Sequence, residues 1–89
     1  MTDVRFARHI ERHVPCPPMV VRAPTVRAAL EEYFVANPSV RTYVLDDQQR
    51  LRKHVVVFVN DAQIVDRAGL SDAVGDGDTI HVLQALSGG

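Results

Sequence analysis

Eighty-nine residues, 46% apolar and 24% charged, can fold one small core and leave little with which to build a deep catalytic cleft. The formal net charge of −1 excludes a general electrostatic draw toward nucleic acid or an anionic membrane. The expectation is a small folded protein that is not itself an enzyme.

Val4 to Val14 opens with strand-like alternation, Val4, Phe6 and Arg8 against Arg5, Ala7 and His9. Pro15, Pro17 and Pro18 then interrupt it, because proline cannot donate to a sheet ladder. Met19 to Ala23 reads as a second short strand, so the chain is expected to begin with a hairpin around a loose turn. Pro24-Thr25 announces a helix. Thr25 suits the N-cap, and Val26, Ala29, Leu30, Tyr33 and Phe34 follow at helical spacing, with Arg27, Glu31 and Glu32 on the other side. Pro38 is expected to stop this helix, since the residue before it, Asn37, is pushed out of helical geometry.

Val40 to Leu45 is expected as a short strand, followed by a polar turn at Asp46-Asp47-Gln48-Gln49. The strongest strand is His54 to Val59, rich in β-branched residues. Asn60-Asp61 signals a turn from which Ala62 to Val65 can pair back. Asp66 to Val74 is irregular, and Gly75-Asp76-Gly77-Asp78 turns the chain into a last strand, Thr79 to Leu86. Residues 1–86 are therefore read as one domain, and Ser87-Gly88-Gly89 as a flexible tail with nothing to pack.

The element order β-β-α-β-β-(β)-β predicts a two-layer α+β domain, with a mixed sheet of four to five strands covered on one face by one helix. The first and last strands are the natural central pair. This is the β-grasp plan.

Few side chains suggest chemistry of their own. Cys16 is alone, so it forms no internal disulfide, and it reads as a bystander thiol in a reducing cytoplasm. No apolar run approaches the ~20 residues of a membrane span, and the start lacks the apolar core of a secretory signal. His9 and His13 fall in the predicted first strand, where i and i+4 are ~13 Å apart, too far to share a metal. Asp76 and Asp78 read as turn formers rather than an acid/base pair. Arg50, Arg52 and Lys53 read as a solvated strand entry, with a partner-steering patch as the alternative. Lys53 is the only lysine.

Several short stretches share their order and spacing with one family: Thr25-Val26-Arg27-Ala28-Ala29-Leu30, Asn37-Pro38, Tyr43-Val44-Leu45-Asp46-Asp47, Leu51-Arg52-Lys53-His54-Val55, Val57-Phe58-Val59-Asn60, Asp76-Gly77-Asp78 and the final Gly88-Gly89. In these the sequence resembles the ThiS/MoaD family of ubiquitin-like sulfur carriers over almost its whole length. The long segment between helix and fourth strand is similar to the branch serving cysteine biosynthesis. The chain departs from the pattern at Asp61, where the family often has glycine, and at His13 to Pro18, which carries no family signature.

The resemblance implies that a partner adenylyltransferase of the ThiF/MoeB type, using ATP, activates the carboxylate of Gly89. Sulfur then replaces AMP to give a thiocarboxylate, which passes to a sulfur-accepting biosynthetic enzyme. The carrier binds no cofactor and is expected to be a monomer when free, with no nucleic-acid or membrane partner. The alternatives are a protein modifier conjugated through Gly89, a small subunit of a molybdopterin-synthase-like complex, or a plain binding module.

Physical chemistry is consistent with that role for Ser87, Gly88 and Gly89. Glycine lacks Cβ, so two of them give the narrowest and most adaptable chain with which to enter a partner's channel. The His54–Val59 strand is apolar on both faces, and only one helix is predicted to cover one of them. Val56, Phe58, Leu83 and Leu86 are therefore candidates for docking a partner. The alternative is that Asp66 to Val74 folds over that face.

Overall fold

The computed structural model describes residues 1–84, so Leu86 and the Ser87-Gly88-Gly89 tail lie outside the described residues. Strands β1 (Thr2–Phe6), β2 (Met19–Val21), β3 (Val55–Val59), β4 (Ala62–Gln63) and β5 (Thr79–Gln84) form one sheet in the order β2-β1-β5-β3-β4. The middle pair, β1 and β5, is parallel, with Val4 opposite Ile80 and Phe6 opposite Val82. The other three pairings are antiparallel. Parallel neighbours cannot be joined by a tight turn. Most of the chain therefore lies between these two strands in sequence, and its apolar residues fill one side of the sheet. The α+β, β-grasp plan is the one expected.

Helices α1 (Arg8–Glu11), α2 (Val26–Ala36) and α3 (Pro38–Val44) share that side. Val4, Phe6, Val57, Ile80 and Val82 of the sheet form one buried cluster with Ile10 of α1, Leu30, Tyr33 and Phe34 of α2, and Val40 and Val44 of α3. All five apolar positions expected along α2 are buried. Thr25 caps this helix from an extended backbone, its hydroxyl accepting the Ala28 N–H at 3.1 Å.

Three helices rather than one is a correction, and its two sources are physical. The first strand does not run to Val14. After Phe6 the Ala7 N–H donates to the Val82 carbonyl at 2.9 Å, and the chain then coils. Apolar spacing changes there from two residues to four, which carries Ile10 and Val14 into the core. His9 therefore stands on a helix, and His13 just beyond it. The second correction is Val40 to Leu45, which is helical except for its last residue. Val40 and Val44 fit strand alternation and i, i+4 spacing equally well. Pro38 decides the matter: it ends α2, but as the first residue of α3 its missing N–H leaves no bond unmade. Elsewhere the strands are shorter than expected, β2 ending at Val21 and β4 at Gln63.

Asp66 to Val74 is irregular, as expected, and packs against the start of α2. The Val26 and Arg27 N–H groups donate to the carbonyls of Asp72 and Leu70, at 2.9 and 2.8 Å. The Arg27 guanidinium ties the same corner to the carbonyls of Gln49 and Ala68. At the last turn Gly77 has φ +86°, a left-handed geometry that suits glycine. The Asp78 carboxylate closes that turn by accepting the Gly75 N–H.

Several carboxylates, Glu31 of α2 and four aspartates in loops and turns, sit below their usual range. The Arg41 guanidinium holds Glu31 down, and backbone N–H groups hold Asp46 and Asp72 down. The Ser71 hydroxyl lowers Asp66 and the Asn60 amide lowers Asp78. A carboxyl depressed in the folded state stabilises it above the unfolded pKa of about 4, and that contribution disappears as pH falls through the folded value. The urea midpoint should therefore drop as pH is lowered below about 4, and a midpoint unchanged at about pH 3 would contradict this assignment.

Candidate functional site: the open sheet face and the end of β5

Strand alternation gives the sheet a second face, opposite the helices. On it β3 places Val56 beside Leu83 and Phe58 beside His81 of β5. Arg5 of β1 follows next to His81, and Asp3 lies opposite Val20 of β2. None of these residues is buried, whereas Val55 and Val57, alternating with them on β3, are. The Asp66–Val74 segment does not close this face, because it packs at the start of α2. Three of the four residues expected to dock a partner, Val56, Phe58 and Leu83, are thus neighbours on one half-buried surface. The fourth, Leu86, lies outside the described residues.

The apolar part of this face flanks the final residues of β5, where the chain heads toward residues 85–89. Val56 pairs with Leu83, and Val55 with Gln84. On the other side of the sheet plane three aromatic side chains gather around Gln84. Its backbone N–H donates to Nε2 of His9 at 3.1 Å. The Tyr43 hydroxyl donates to its side-chain Oε1 at 3.3 Å, and His13 stacks on Tyr43 at 5.9 Å between ring centroids. Neither the metal-ligand reading of His9 and His13 nor the closeness of His13 to Cys16 in sequence points to this arrangement. Recognising the four-residue spacing of Phe6, Ile10 and Val14 would have placed them on this side of the sheet.

Other candidates resolve simply. Cys16 is buried, and burial, with the nearby Glu11 charge, pushes its thiol up to about 11, so it is a protonated packing residue rather than a nucleophile. Asp78 is spent on its turn and on the Asn60 amide, as a turn former should be. Arg50 pairs with Asp46 at 3.6 Å, Arg52 donates to the Thr42 carbonyl, and Lys53 is exposed. Among the described residues no group of three His, Cys, Asp or Glu side chains is placed to hold a metal ion, and no helix is long and apolar enough to cross a membrane.

The family model of the ThiS family matches residues 20–89, which includes α2, α3, strands β3, β4 and β5, all but the first residue of β2, and the two final glycines. The chain belongs to the ThiS family. Residues 1–19, with β1 and α1, fall outside the match. Solved structures carry the same ubiquitin-like fold across the whole chain. A chain of the Amycolatopsis orientalis BexX/CysO complex is 22% identical with a TM-score of 0.82, each chain covered in full. CysO from Mycobacterium tuberculosis is 20% identical with a TM-score of 0.80, over 97% of this chain and 100% of that one. SAMP1 from Haloferax volcanii is 22% identical with a TM-score of 0.78, over 99% and 98%. A search of curated protein sequences finds no match. The family resemblance is thereby upheld, and the likeness to CysO, as to SAMP1, is one of fold.

Proposed function

We propose that this ThiS-family chain is a sulfur carrier whose working group is the carboxylate of Gly89. The observation that carries the proposal is the family match running through to Gly88-Gly89, on a fold whose last strand is the middle of the sheet. A carboxylate is a poor acyl donor because its oxygen leaves badly. In the proposed first step a Gly89 carboxylate oxygen attacks the α-phosphorus of ATP and pyrophosphate departs. A sulfide nucleophile then attacks the carbonyl carbon, the C–S bond forms, and AMP leaves with the electrons of the broken C–O bond. The thiocarboxylate carries negative charge on a soft sulfur, which a biosynthetic acceptor enzyme in the cytoplasm then takes up.

The chain catalyses neither step. It supplies a platform: β5 is bonded to β1 on one side and β3 on the other, and Val56, Phe58 and Leu83 form the surface that a ThiF/MoeB-type enzyme would cover. The similar A. orientalis structure is a complex with a second protein, BexX, which supports a carrier that works by docking on partner proteins. A few well-packed residues near the centre of an interface carry most of its binding energy, and truncating one of these costs about 2 kcal/mol or more; Phe58 is the aromatic of this face.

The test is ATP–pyrophosphate exchange by the cognate activating enzyme, which should depend on added carrier. Phe58→Asp is expected to raise the KM for carrier by roughly 30-fold or more, read at a temperature where circular dichroism shows the variant folded, because Phe58 is partly buried. Exchange that ignores the carrier would overturn the proposal. Lysine-linked conjugates of other proteins, lost on removing Gly89, would instead identify a protein modifier.

A further inference from the structure

We propose that His9 is a positioning residue that anchors the end of β5 and so sets the point from which residues 85–89 are presented; this rests on the carrier reading above. The β1–β5 ladder is broken at its last bond. In a parallel pair each residue on one strand donates to, and accepts from, alternate residues on the other. The Ala7 N–H donates to the Val82 carbonyl, so the next bond along the ladder would run from the Gln84 N–H to the Ala7 carbonyl. That carbonyl is already committed, because it accepts the Ile10 and Glu11 N–H groups, at 3.0 and 3.4 Å, as α1 begins. Turning the chain into α1 therefore removes the strand partner of Gln84.

His9, one residue into that helix, replaces it. Its Nε2 accepts the Gln84 N–H at 3.1 Å across a sequence separation of 75 residues. A ring nitrogen that accepts carries no hydrogen, so in this contact the ring N–H is on Nδ1. The Tyr43 hydroxyl holds the Gln84 side chain, and His13 stacks on Tyr43. Backbone and side chain of the last described residue are thus both gripped, by α1 and α3. The α1 half of this grip lies in residues 1–19, outside the family-model match. An acyl group presented to a partner's nucleotide must arrive in a narrow geometry, in which a misplacement of about 1 Å costs roughly 100-fold in rate. An anchor at Gln84 fixes the start of the segment that carries Gly89, so the partner has less chain to order.

Amide hydrogen exchange and steady-state kinetics on His9→Ala and His9→Gln test the proposal. In His9→Gln the Oε1 atom can reach the position of Nε2 and accept the same bond. Losing one hydrogen bond should speed exchange at the Gln84 amide roughly 5-fold to 10-fold in His9→Ala, with His9→Gln close to wild type. Nitrogen chemical shifts of wild-type His9 should show the Nδ1–H form. With the cognate activating enzyme, kcat for adenylation should fall in His9→Ala and recover in His9→Gln, at constant KM, because the docking face is untouched. Unchanged Gln84 exchange in His9→Ala would overturn the anchor, and faster exchange with unchanged kcat would overturn its role in presentation. If wild type itself is not adenylated, the carrier reading fails, while exchange at Gln84 still decides whether His9 anchors β5.

Discussion

Removing Gly89 is expected to abolish adenylation and thiocarboxylate formation while leaving thermal stability unchanged. Truncation keeps a carboxylate, now on Gly88, so the chemistry is not lost for want of a functional group. What changes is place. One residue fewer draws the reacting carbon back by up to about 3.5 Å, several times the displacement that costs roughly 100-fold in an intramolecular-like reaction. The fold is not expected to register the loss, because among the described residues the buried cluster ends at Val82. Loss of activity together with a lower melting temperature would mean that the tail supports the fold rather than the chemistry.

The largest stability effect is expected at Tyr33. Its ring is completely buried, 4.8 Å from the ring of Phe6 and 6.2 Å from that of Phe34, and its hydroxyl donates to the Pro17 carbonyl at 2.8 Å. It joins the helix, the first strand and the proline-rich turn in one contact set. Tyr33→Ala removes a whole aromatic side chain, a change that costs about 3–5 kcal/mol. A chain of this length has a total stability of about 5–13 kcal/mol. The melting temperature should fall by roughly 15–30 °C, and part of the population should unfold at ambient temperature. Tyr33→Phe keeps the ring and should cost only about 1 kcal/mol. Burial, helped by nearby Cys16 and Glu11, also pushes the Tyr33 hydroxyl well above its usual pKa. The buried neutral hydroxyl therefore stabilises the fold below the usual tyrosine value of about 10, and that contribution is lost as pH rises further. Equal losses for the alanine and phenylalanine variants, read from urea unfolding, would place the energy in the hydroxyl rather than in packing.

What could be read from the sequence follows from how many residues each signal used. The helix α2 has five apolar residues on one face and a threonine cap, and two independent signals agree. The strand β3 has a run of β-branched residues too short for a helix. Gly77 marks a turn that requires a positive φ. By contrast α1 and α3 are short, and each offers only one or two apolar residues of its own to the core. A pair of valines four apart satisfies both periods, and β-branched neighbours tilt the reading toward strand. Tertiary packing settles what propensity leaves open. The open face was legible as one of two readings, since a strand apolar on both sides either keeps one face uncovered or is covered there by Asp66 to Val74, and only the packing of that segment at the start of α2 decides. The His9–Gln84 contact was not legible, since it depends on α1 and on a ladder that stops one residue early. Gly89 was singled out by position and resemblance, and the described residues show only the strand that leads toward it.

The most direct measurement is the intact mass of the protein after incubation with its cognate activating enzyme, ATP and a sulfur source. A carrier gains the mass of one oxygen-to-sulfur exchange, localised by fragmentation to Gly89 and absent when Gly89 is removed. An unchanged mass, with the enzyme shown to be active on another carrier, would contradict the account.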